Sequence, residues 1–175
     1  MTPAGAGGPL APTPSLRRRL AAFVYEGVLL FGVLMIAALA YGLVTQQRHA
    51  LVGMHGLQGF LFAVLGSYFG WFWSHGGQTV AMKTWHIRLQ SKDGGPVPMA
   101  RALLRYLCSW LWFLPALLWS FLAGVQSGGA VALALTIGVL AYALSSRLNS
   151  QRQYWHDLLS GTRLVQCRPP PQRRR

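Results

Sequence analysis

Glu26 is a carboxylate inside an apolar run that extends from Leu20 to Val44, with Arg17, Arg18 and Arg19 at its mouth. A carboxylate in hydrocarbon costs about 2.5–3.5 kcal/mol on insertion scales unless it is paired, protonated or turned to a polar interior. Two chemistries follow. Glu26 could bind a proton or a cation, or it could anchor the helix by hydrogen bonds near the membrane boundary. Arg19 lies seven residues earlier, close to two helical turns, so both project from nearly the same face. Asp157, beside His156, is a second acidic candidate near the carboxy end. Neighbours on a helix diverge by about 100°, which disfavours a shared metal or proton relay. Asp157 is expected instead to accept from backbone amides or arginines and pin its segment to the membrane domain. Arg18 or Arg19, Glu26 and Asp157 are expected to form one polar cluster.

Four apolar runs must position these residues. They lie at about 20–44, 51–73, 106–125 and 130–146, and each reads as a membrane-spanning helix. Charged residues are only 11% of 175, against about 25% in soluble domains, which places the chain in the membrane class. The run after Arg17–Arg19 outlasts a signal-peptide core and carries Glu26, so it reads as a retained span. Small residues recur every four positions at Gly59, Ala63 and Ser67, at Gly66 and Gly70, and at Ala130, Ala134 and Gly138. Such faces let helices approach closely in lipid, within one chain or between copies. Pro115 sits inside the third run and is expected to bend it.

Basic residues outnumber acidic ones sixteen to three. They gather before the first run, between the second and third, and after the fourth. Four spans with both termini cytoplasmic then satisfy the positive-inside rule. The same charge suits anionic lipid headgroups, and no nucleic-acid motif accompanies it. Residues 1–16, rich in Pro, Gly and Ala, read as a disordered tail, and 167–175 as a basic one that includes Arg168 and Arg173–Arg175. Trp85–Gln90 alternates with period two and reads as a short strand. Gly161–Val165 could pair with it on the cytoplasmic side, and Gly77–Thr84 could be a short interfacial helix. His49, His55, His75 and His86 avoid the centres of the spans, which argues against haem. Cys108 and Cys167 form no metal motif. Thr79 and Ser160 lack a Ser-His-Asp context. No cofactor, metal or catalytic residue is therefore expected, nor an enzyme.

Three blocks in order resemble the RDD family of bacterial integral membrane proteins. The first is Arg18-Arg19-Leu20-Ala21-Ala22-Phe23-Val24-Tyr25-Glu26. The second runs from Gly77-Gln78-Thr79 through Arg88 and Asp93-Gly94-Gly95 to Arg101-Ala102-Leu103-Leu104-Arg105-Tyr106. The third is His156-Asp157 with Gly161-Thr162-Arg163-Leu164-Val165. The resemblance covers about residues 17–166. Glu26 stands where the family has an aspartate, and Ala81-Met82 where Gly-Lys is expected. The resemblance implies an all-α membrane bundle in the bacterial cytoplasmic membrane, with a small cytoplasmic strand pair. It also implies structural roles for Gly77, Gln78, Arg105 and His156, beside the bend expected at Pro115. For function it implies transport, including cation/proton exchange. The second expectation is a scaffold or accessory subunit, dimeric or packed on a partner membrane protein.

Overall fold

The computed structural model describes residues 12–46 and 54–167. Residues 1–11 of the expected amino-terminal tail, all of the expected tail at 167–175 except Cys167, most of the link at 45–49 and the start of the second run lie outside the described residues. Helix α1 spans Leu16–Thr45, capped by the Ser15 side chain, which accepts from the Arg18 backbone N–H. Helix α2 is Met54–His75 and α3 is the short Val80–Thr84, capped by Thr79. Strand β1 is Ile87–Ser91, α4 is Met99–Ser109 and α5 is Leu114–Leu122. Helix α6 is Gly128–Ser145, α7 is Trp155–Leu159 and β2 is Thr162–Gln166.

Helices α1 and Gly128–Leu148 are long and apolar enough to cross a membrane by length and composition. The third run is not one straight span from Tyr106 to Val125. Its helix starts at Met99, turns through a 3₁₀ segment at Trp110–Trp112 and resumes as α5, bent by 41°. Pro115 explains the break: it falls in the first turn of α5 and cannot donate back into the preceding helix. Read as one span, the bent pair makes three. Helix α2 has 22 residues, but Gly56, Gly59, Gly66, Gly70, two histidines and a glutamine dilute its apolar character.

Glycines set the helix contacts. Gly66 faces the Tyr106 ring, where a Cβ would come within 3.2 Å, and Gly70 faces Leu103 and Met99 of α4. Gly138 of α6 lies against Ala116 of α5, 2.8 Å from where its Cβ would stand. Gly59 has nothing within 4 Å. Trp112 fills the centre, stacked on Phe23 of α1 at 4.7 Å between centroids and edge-on to Tyr154 at 5.0 Å.

Strands β1 and β2 pair antiparallel, from Ile87 opposite Gln166 to Ser91 opposite Thr162. Ile87 and Leu89 are buried while Arg88 between them is exposed, as a period-two strand requires. The amino-terminal segment expected to be disordered through residue 16 is tied down from residue 12. Gln166 donates its backbone N–H to the Pro12 carbonyl at 2.9 Å, and Pro14 is fully buried.

Candidate functional site

Glu26 is 8% exposed on α1. Tyr68 of α2 donates to its Oε1 at 2.7 Å, and Thr79 donates to its Oε2. The Thr79 hydroxyl has one proton to give, and its lone pair accepts from the Met82 N–H at 3.2 Å. The α3 cap and the Glu26 ligand are thus the same atom. Among the described residues no lysine or arginine nitrogen pairs with Glu26.

Asp157 belongs to a second network. Arg105 of α4 donates from Nε at 2.8 Å and from Nη2 at 2.7 Å to its Oδ1. Arg105 also donates from Nη2 to His156 Nε2 at 3.2 Å. An arginine only donates, so Nε2 accepts and the neutral imidazole carries its proton on Nδ1, directed at Tyr142 Oη at 2.9 Å. Burial pushes the His156 imidazole down to about 4, with Arg105 and Arg19 adding to the effect and Asp157 opposing it. Burial likewise raises the Tyr154 hydroxyl to about 12.

Arg19 is 5% exposed. Its guanidinium lies 4.4 Å over the Tyr154 ring, and Nη2 reaches Ser146 Oγ at 3.5 Å. Arg18 is half-buried and lends its backbone N–H to the Ser15 cap. The expected single cluster is therefore two hydrogen-bonded networks, one on Glu26 and one on Asp157, with Arg19 engaging neither carboxylate directly. Arg19, Glu26, Arg105 and His156 do line one common cavity of about 500 Å³ between α1, α2 and the α4–α5 break. Its walls are otherwise mostly apolar.

Gly77 and Gln78 hold the neighbouring sheet. Gly77 has φ +70°, accepts from Leu89 N–H at 2.7 Å, and leaves no room for a Cβ beside the Leu89 carbonyl. Gln78 Nε2 donates to the Ile87 carbonyl at 2.7 Å. Tyr68, Tyr142 and Tyr154 were not singled out by sequence, since a tyrosine in or near an apolar run looks like core. The signal available for Thr79 was its place as a helix cap. Among the described residues no three His, Cys, Asp or Glu side chains are grouped to hold a metal ion.

Apolar helices around a mostly apolar cavity that holds a few buried polar groups define a membrane protein. The chain belongs to the RDD family, whose model matches residues 13–161. No curated protein and no solved structure matches it.

Proposed function

We propose that this chain is a non-enzymatic, multi-pass protein of the bacterial cytoplasmic membrane that exchanges cations and protons, with Glu26 as the ion-binding carboxylate. The observation that carries this reading is a buried carboxylate on a cavity wall, met by two hydroxyls and by no cationic side chain among the described residues. Carboxylate and hydroxyl oxygens are hard donors, suited to a proton or an alkali cation. Four spans are formed by α1, α2, the bent α4–α5 pair and α6. Helix α2, at 22 residues, rises about 33 Å, enough for a bilayer core. Both termini are then cytoplasmic, with the basic loops against anionic headgroups.

A second reading is a scaffold or accessory subunit, as a homodimer or beside another membrane protein. It is favoured by α1, where Gly27, Gly32 and Gly42 have nothing within 4 Å and Phe31, Ile36 and Leu43 are 66–73% exposed.

Proteoliposomes carrying a pH-sensitive dye separate the two. Exchange predicts cation-driven proton movement that Glu26→Gln abolishes at equal incorporation. No flux from the native chain over a panel of alkali cations would favour the accessory reading, and equal flux in Glu26→Gln would remove Glu26 from the path.

A further inference from the structure

One end of the cavity holds donors that lack acceptors. Arg19 Nε and Nη1, Trp73 Nε1 and the Tyr154 hydroxyl are buried without a hydrogen-bond partner, and all three residues line it. Their side chains belong to residues only 4–5% exposed. Buried polar groups in folded proteins are nearly always paired, so a set of unpaired ones around one space needs an explanation. Arginine and the indole N–H can only donate. Of the side-chain acceptors that line the cavity, Glu26 takes Tyr68 and Thr79, and His156 Nε2 takes Arg105; Asp157 Oδ2 also lacks a partner but does not line the cavity. What the site lacks is an acceptor group, and beside a guanidinium that group is an anion, best a planar one that a fork of N–H bonds can hold.

The rest of the cavity is apolar. It follows α1 from Arg19 to Leu34, walled by Phe23, Leu30, Leu65, Phe69 and Phe113. From Arg19 to Leu34 the helix rises about 22 Å, more than the roughly 15 Å of one leaflet's hydrocarbon. A volume of about 500 Å³ suits one small molecule rather than a two-chain phospholipid. Glu26 lies about 10 Å along the axis from Arg19, with its oxygens covered by hydroxyls, so it does not oppose an anion at the arginine end.

We infer that this cavity binds a single-chain amphiphilic anion, a long-chain carboxylate. Its head sits on Arg19, Tyr154 and Trp73, and its chain lies along α1 towards Leu34. The site goes beyond ion exchange at Glu26 and does not depend on it.

The test uses the full chain in uncharged detergent micelles, with brominated stearate as the probe. Bromine quenches tryptophan fluorescence on contact, and Trp73, Trp110 and Trp112 line the cavity. Saturable quenching is expected, with the acid binding about tenfold or more tightly than its methyl ester. Arg19→Gln should weaken the acid about tenfold and leave the ester unchanged, and Arg19→Lys should recover part of the loss. Tyr154→Phe keeps the ring beneath Arg19 and removes only the hydroxyl. It should weaken the acid several-fold, and it decides the matter if Arg19→Gln does not fold. Equal affinity for acid and ester overturns the inference, as does unchanged affinity in these variants. Saturation by brominated phosphatidylglycerol but not by the acid also overturns it, in favour of a lipid headgroup. Binding is measured without an ion gradient and transport without the acid. Binding with no flux counts only against ion exchange, and flux with no binding only against this site.

Discussion

Arg105 places two nitrogens on one oxygen of Asp157, 52 residues away, in a pair whose side chains are 7% and 0% exposed. The contact ties α4 to α7, and through α7 to the sheet. Removing one partner leaves an uncompensated buried charge. Asp157→Asn is expected to destabilise the fold by about 3–5 kcal/mol. Unfolding in mixed micelles with a denaturing detergent measures this. Arg105→Met together with Asp157→Asn should lose less than the sum of the two single changes.

The Thr79 hydroxyl serves a cap and a carboxylate at once. Thr79→Val removes both bonds at nearly constant volume and is expected to cost about 1–3 kcal/mol. Thr79→Ser should retain most of the stability. A loss in Thr79→Ser with none in Thr79→Val, by the same micellar unfolding assay, would assign the effect to the methyl group instead.

His156 gives a pH dependence with a definite sign. It is neutral in the fold, with its value pushed from 6.5 to about 4 by burial, while Arg105, Asp157 and Tyr142 surround it. Between those values the unfolded chain binds the extra proton. The contribution is therefore complete above pH 6.5 and is lost as pH falls towards 4, with a slope approaching ~1.4 kcal/mol per pH unit. Melting temperature measured from pH 7.5 to 4.5 should fall across that window, and the fall should be smaller in His156→Gln.

Two glycines discriminate packing from spacing. Gly138→Ala drives a methyl against Ala116 and is expected to cost about 1–3 kcal/mol. Gly59→Ala meets nothing within 4 Å and should be neutral or stabilising by up to about 1 kcal/mol. Thermal aggregation of the purified variants reports both.

Local pattern carried much of the architecture. The alternation at Trp85–Gln90 is written in neighbouring residues, and its strand is Ile87–Ser91; Gly161–Val165, expected to pair with it, does so as Thr162–Gln166. The first run carries its own length and polarity, so α1 was legible nearly to its ends. The third run was not. Its apolar residues begin at Tyr106, but its helix begins after Pro98, a start signal that the two arginines in the first turns obscured. Ala102, Arg105 and Tyr106 fall on one buried face there. Partners such as Tyr68 and Thr79 for Glu26, or Arg105 for Asp157, are chosen by how distant elements pack. No spacing along the chain records that choice.

The bond from Gln166 N–H to the Pro12 carbonyl, and that from Gln153 Nε2 to Thr13 Oγ1 at 3.0 Å, join the earliest described residues to the last strand. Arg19 likewise rests on Ser146 and Tyr154. During synthesis α1 emerges first, and the groups that complete its amino end emerge last. The helix must therefore wait on the ribosome's timescale with a bare arginine. The domain closes as a ring of contacts only when β2 arrives.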